Sequence, residues 1–255
     1  MALTEHNRGT ISSFVHEQLT GLRDAHLVVH PPKQFAYTEQ LELIATLLEL
    51  TDRELAIENT SVPSDWYTPE TIAFFGYVGS HYERLDGLYL TIDTAHLPSE
   101  IEKSGPLAID QSAVSHLDNR LTVDGVNIPP EFIGEMNTRL RRLESYIPDH
   151  YDLEEISSLP YASVLRALCL AGNWTKEIHF NDPQTDLVPD PLSYENRPLF
   201  EAVLECAQDH GMAVVLEPGE LRQKELFERV ATFRDLLNGF PDDCVAAHLD
   251  RYNRR

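Results

Sequence analysis

The chain has 255 residues, with 42 Asp or Glu against 20 Lys or Arg, so its formal net charge is −22. A hydrophobic fraction of 42% excludes a disordered chain, and no apolar run approaches the roughly 18 residues of a membrane span. The length suits one large domain, such as an α/β barrel, or two small ones. Three cysteines without CxxC spacing and an N-terminus without a signal pattern predict a reduced, cytoplasmic protein.

The acidic charge has two interpretations, and both bear on partners. Only 4 of the basic residues are Lys, and an acid excess with few Lys is typical of a protein in a very salty cytoplasm. The alternative is an acidic protein from a GC-rich genome. The negative electrostatic field of such a protein repels a phosphate backbone and disfavours a nucleic-acid partner. Molar salt screens this repulsion within about 3 Å.

Short apolar strands alternate with longer helical patterns along the chain. The predicted strands are 25–30, 55–58, 87–93, 175–180 and 212–217. The predicted helices are 11–22, 38–50, one that begins with Thr68 as cap and Pro69, 160–171, 197–210 and 220–238. Strands and helices that alternate at a spacing near 30 residues predict an α/β fold with a parallel sheet.

One stretch interrupts this rhythm. His179 follows Asp93 by 86 positions, where one strand–helix unit of a barrel uses about 30. We interpret about 99–158 as an insertion over the mouth of a single domain that spans 1–255. Within it, 121–128 is predicted to be a hairpin with an Asp-Gly turn, and a helix is predicted from Pro129-Pro130 to about residue 145.

Every predicted strand ends in a polar group. These groups are His30, Glu58, Asp93, His179 and Glu217. Each has a structural alternative on its own: a strand end before a turn, a helix cap, a core histidine or a solvated loop acid. In a parallel α/β barrel, however, the carboxyl ends of the strands converge on one face, where the active site lies. The pattern therefore predicts a joint site.

Five short strings carry a resemblance to a known family. They are Val28-Val29-His30-Pro31, Ala56-Ile57-Glu58-Asn59-Thr60, Leu90-Thr91-Ile92-Asp93-Thr94-Ala95-His96, Glu177-Ile178-His179-Phe180-Asn181-Asp182 and Val215-Leu216-Glu217-Pro218. In this order they resemble the later strands of the xylose-isomerase-like barrel superfamily, which includes sugar isomerases and epimerases and AP endonucleases. The resemblance implies an α/β fold of the TIM-barrel type.

The resemblance also implies a metal site. The family's four ligands match Glu58, Asp93, His179 and Glu217, a set that suits Mn²⁺, Mg²⁺ or Co²⁺, with Zn²⁺ as an alternative. His96 matches a position that contacts substrate or acts as a further metal ligand. His30 matches a histidine that faces substrate or bridges metals in the endonuclease branch.

The expected activity is isomerisation or epimerisation of a small sugar, polyol or sugar phosphate through a metal-stabilised enediolate. Glu58 and Glu217 are then the acid–base pair, and Asp182 is expected to orient His179 from the second shell of the site. A metal-dependent AP endonuclease is the alternative. The further His and Asp ligands of its three-metal cluster find no match here.

The chain departs from the family at its start. The strand ending at His30 matches about the fourth of eight, so the first strands of the barrel are lacking or rearranged. An open edge of such a barrel needs cover, and a second copy of the chain is one candidate. The departure also leaves open a non-catalytic, truncated barrel.

Overall fold

The computed structural model describes residues 27–30, 37–51, 54–60, 68–97, 107–123, 125–147, 160–181 and 197–215. Its strands are β1 (Leu27–Val29), β2 (Leu55–Glu58), β3 (Leu88–Asp93), β4 (Thr175–His179) and β5 (Ala213–Val215). Its helices are α1 (Tyr37–Thr51), α2 (Pro69–His81), α3 (Gln111–Val123), α4 (Pro130–Leu140), α5 (Leu143–Tyr146), α6 (Pro160–Ala171) and α7 (Arg197–Asp209). None of the helices in these ranges has both the length and the apolar character that a membrane crossing requires.

The five strands form one parallel sheet in the order β1-β2-β3-β4-β5, which confirms the predicted α/β fold with a parallel sheet. Each strand pairs with the next one along the chain, so the order never reverses. Right-handed crossovers between strands in this order place the connecting helices on one face of the sheet. This arrangement is compatible with part of a barrel. The predicted helices 11–22 and 220–238 lie outside the described residues.

Strand side chains alternate between two faces, as the period of two requires. One face is apolar and belongs to the hydrophobic core that the helices cover; its residues are Leu55, Ile57, Leu88, Leu90, Ile92, Ile178 and Val214. The opposite face carries the polar side chains; its residues include Glu58, Thr91, Asp93, Glu177 and His179. The sheet register aligns Glu58 with Thr91, Thr91 with Glu177, and Asp93 with His179.

The N-terminus of α2 forms as the sequence predicts. Thr68 is the cap, its hydroxyl accepts a hydrogen bond from the amide of Thr71 at 3.3 Å, and Pro69 occupies the first helical position. Pro has no amide hydrogen to leave unpaired there, and its ring presets a helical φ. The start of α2 is therefore encoded locally.

The predicted hairpin at 121–128 is wrong. Residues as far as Val123 belong to α3, and Gly125 follows with φ +75°. The amide of Gly125 donates to Thr122 O at 3.1 Å and that of Val126 donates to Leu121 O at 2.8 Å. This is the Schellman motif, in which glycine takes the left-handed conformation and ends a helix. The Asp-Gly pair marks a helix end here. Glycine with a positive φ occurs both in hairpin turns and at helix ends, so the pair alone does not distinguish the two structures.

The described part of the 99–158 segment packs against the helix layer. Helices α3 and α4 contact α2, and α4 also contacts α6. Phe132 of α4 lies 5.1 Å from Phe74 and 5.2 Å from Tyr77, measured between ring centroids. Arg166 of α6 pairs with Glu70 of α2 in the interior and also donates to Ala108 O at 2.8 Å, which connects the segment at Ala108 to α6.

Replacing Gly125 with Ala tests the helix end. The new methyl group meets no heavy atom within 4 Å, so the cost comes from the left-handed backbone alone and should be about 1–2 kcal/mol of unfolding free energy. Gly134 is the matched control, because it is exposed within α4, also has no atom within 4 Å, and has no positive φ. Gly134→Ala should stabilise by about 1 kcal/mol in urea denaturation. Equal effects of the two substitutions would contradict the assignment.

Candidate metal centre

Three side chains converge at the carboxyl edge of the sheet. Glu58 is the last residue of β2, Asp93 is the last residue of β3, and His96 ends the 3-10 turn that follows β3. One potential ligand atom from each lies within 4.8 Å of the others. Donors to a single cation at about 2.0–2.6 Å lie within about 4 to 5 Å of one another, so the spacing fits one ion.

Local hydrogen bonds bring His96 back to the strand end. Asp93 Oδ1 accepts from the amide of Ala95 at 2.9 Å and thereby caps the turn. His96 Nδ1 then lies 3.2 Å from Asp93 Oδ2 and 3.0 Å from Asn59 O. The helix-cap alternative for Asp93 is therefore correct, and the same carboxylate still belongs to the cluster.

Two amide side chains lock the strand ends together. Asn59 donates through Nδ2 to Asp93 O at 3.0 Å and accepts from the amide of Asp93 at 2.7 Å. Asn181, just after β4, donates through Nδ2 to Asp93 Oδ1 at 3.4 Å, and Thr94 accepts from its amide at 2.8 Å. Asp93 is consequently fixed from both neighbouring strands, which a preformed ligand requires.

The Glu58 carboxylate lies between two imidazoles. Its Oε2 is 3.0 Å from His30 Nε2, and its Oε1 is 3.0 Å from His179 Nδ1. Burial alone raises the pKa of Glu58, but the hydrogen bonds and charges of His179 and His30 outweigh burial and hold the pKa at about 2. Glu58 is therefore ionised at neutral pH, as a metal ligand must be.

His179 also contacts a second carboxylate that sequence analysis missed. Its Nε2 lies 3.3 Å from Glu177 Oε1, and Thr91 donates to the same oxygen at 3.4 Å. Glu177 is buried, with an exposed fraction of 8%. The signal was present in the sequence: Glu177 precedes His179 by two residues, and a strand places such residues on the same face.

The predicted site residues divide into three groups. Glu58 and Asp93 meet together with His96, the predicted further ligand. His30 and His179 reach Glu58 by hydrogen bonds. Glu217 and Asp182 lie outside the described residues, so the four-ligand set and the orientation of His179 by Asp182 stay predictions.

The residues present fit a divalent cation. Two buried carboxylates beside one imidazole form a donor set that suits Mn²⁺, Mg²⁺ or Co²⁺, and Zn²⁺ also accepts it. Like charges brought together in the interior repel each other, and a cation between them offsets that repulsion. The exposed fractions of Glu58 and Asp93 are only 7% and 3%, so this electrostatic term is weakly screened.

Comparison of the chain with protein-family models, curated proteins and solved structures found no match. The assignment to the xylose-isomerase-like superfamily therefore stays a prediction from the five strings.

The titration of His30 reports its contact with Glu58. The hydrogen bond to Glu58 raises the pKa of His30 above its ordinary 6.5. The stabilisation from this contact is therefore fully present below pH 6.5 and is lost as pH rises through the raised pKa. In an NMR titration of the metal-free protein, Glu58→Gln should lower the His30 midpoint. Glu205→Gln, at an exposed position on α7, should leave it unchanged, and an unchanged midpoint in Glu58→Gln would contradict the contact.

Proposed function

We propose that the protein is a divalent-metal-dependent isomerase or epimerase of small sugars, polyols or sugar phosphates. The observation that carries this proposal is the meeting of Glu58, Asp93 and His96 within 4.8 Å at the carboxyl edge of a parallel sheet. Active sites of parallel α/β folds are built at this edge, because the loops after successive strands meet there.

The fold that we propose is part of an α/β barrel of the xylose-isomerase-like type. The sequential strand order supports it, because it adds each strand on the same side of the previous one. The polar face of the sheet supports it as well, since in such a barrel this face lines the interior. Cover of an open edge by a second copy of the chain remains part of the proposal.

The residues of the site have two roles in this reaction, metal binding and proton transfer. Asp93, His96 and Glu58 would hold the cation, which supplies Lewis acidity to a substrate carbonyl. Proton transfer belongs to Glu58 and Glu217. A base is most effective when its pKa is near the working pH, and the pKa of Glu58 is about 2 while both histidines contact it. We infer that substrate entry displaces His30, whose side chain is 56% exposed, and so frees Oε2.

A second candidate is a metal-dependent phosphodiesterase of the AP-endonuclease type. The observation that favours it is the presence of His96 in the cluster, because the endonuclease branch uses the matching position as a ligand. The net charge of −22 counts against a nucleic-acid substrate at ordinary ionic strength.

Metal binding is the first test. In calorimetric titration, one Mn²⁺ should bind per chain, and a concentration of 100 Kd should stabilise the fold by about 2.7 kcal/mol. Glu58→Gln and Asp93→Asn should abolish measurable binding, because each removes a charged donor. Asp118→Asn, at an exposed position on α3, is the control and should bind as the wild type does. Absence of binding to the wild-type chain would exclude the proposed function.

Activity distinguishes the two candidates. The Mn²⁺-loaded protein should exchange solvent deuterium into the carbon next to the carbonyl of at least one member of a panel of ketoses and ketose phosphates. Asp93→Asn should abolish the exchange. Cleavage of an abasic oligonucleotide in high salt, without exchange, would support the phosphodiesterase instead. Metal binding without either activity would support a non-catalytic barrel.

A further inference from the structure

Glu177 is the buried acid of the site that the proposed reaction does not use. We propose that Glu177 is a positioning residue that fixes the ring of His179, so that Nδ1 faces Glu58 and holds this proposed metal ligand in place. This inference rests on the proposed metal site, and it assigns no contact between Glu177 and substrate.

The sheet register explains how His179 reaches its partners. Glu58, Thr91 and Glu177 are aligned across β2, β3 and β4, and His179 lies two residues beyond Glu177 on β4. Neighbouring strands are about 4.8 Å apart, so the His179 and Glu58 side chains together span two strand spacings to meet. Thr91, which is small, lies on the strand between them.

The hydrogen bonds distinguish the two ring nitrogens. Nδ1 lies 3.0 Å from Glu58 Oε1, and Nε2 lies 3.3 Å from Glu177 Oε1. Because carboxylate oxygens accept, Nε2–H donates to Glu177 as Nδ1–H donates to Glu58, and the contact with Glu177 fixes which nitrogen is turned toward Glu58. If the ring were rotated by 180°, Cδ2 would lie next to Glu58 in place of Nδ1, and Cε1 would lie next to Glu177 in place of Nε2. Both hydrogen bonds would then be lost.

The burial of Glu177 indicates that its polar side chain does more than fill space. Taking the carboxyl group of Glu177 out of water carries a desolvation cost. The adjacent strand β5 places Ala213 and Val215 on this face, in register with Glu177 and His179. An apolar residue at 177 would match these neighbours without the desolvation cost. The hydrogen bond to His179 and the one from Thr91 offset that cost.

Two variants separate positioning from charge. Glu177→Gln keeps the length of the side chain and an acceptor oxygen but removes the charge, whereas Glu177→Asp keeps the charge and loses one methylene of reach. Glu205→Gln is the control for a general loss of negative charge. All variants are first compared with the wild type by thermal melting without metal.

The measurements are the Nε2–H proton resonance of His179 in metal-free, ¹⁵N-histidine-labelled protein, and Mn²⁺ affinity by calorimetry. Glu177→Gln should keep the resonance, shifted upfield because its acceptor is neutral, and bind Mn²⁺ within about 3-fold of the wild type. Glu177→Asp should lose the resonance to solvent exchange and bind Mn²⁺ about 10- to 100-fold more weakly, the range that loss of such a supporting contact produces.

The opposite order of the two variants, with Asp near the wild type and Gln weak, would show a charge effect and overturn the proposal. Retention of the Nε2–H resonance in Glu177→Asp would overturn it too, and so would a loss of affinity of the same size in Glu205→Gln. If the wild-type chain binds no Mn²⁺, the proposed function fails, while the resonance in the metal-free proteins still decides the role of Glu177.

Discussion

The buried carboxylate of Glu58 is the constraint on which the site depends. Desolvation opposes its charge, and two imidazoles at 3.0 Å, from His30 after β1 and His179 on β4, keep it ionised. These contacts require the ends of β1, β2 and β4 to meet at one edge. A parallel sheet in sequential order achieves that, because every strand points the same way and every carboxyl end lies on the same side.

Local sequence signals were sufficient for several of the described elements. The apolar strands and the Thr68-Pro69 helix start encode their own conformation, so β2, β3, β4 and α2 form close to where they are predicted. The Asp124-Gly125 pair failed as a predictor because positive φ at glycine serves a hairpin and a helix end equally well. The preceding α3 decides between them, because residues 121–123 belong to this helix and not to a strand.

The sequence predicts which residues lie at the strand ends and so belong to the site. It predicts the contacts between their side chains less well. A polar residue at the end of a parallel strand has to lie at the common edge, which is why Glu58, Asp93 and His179 are close to one another. Which of them share a cation depends on side-chain reach. The capped turn after β3 returns His96 to Asp93, whereas the ring of His179 extends to Glu58. The spacing of these residues along the chain predicts neither the distance from His96 to Asp93 nor the distance from His179 to Glu58.

Charge balance connects the metal-free fold to the proposed chemistry. The described cluster holds three carboxylates, Glu58, Asp93 and Glu177, and three imidazoles, His30, His96 and His179. In the metal-free fold, the imidazoles of His30 and His179 contact the carboxylate of Glu58 and hold its pKa at about 2. A divalent ion would offset the negative charge of the same carboxylates, so its binding competes with protons for them. The site can therefore stay folded while it is empty and still attract a cation, because Glu58 is already ionised and Asp93 is held in place by Asn59 and Asn181.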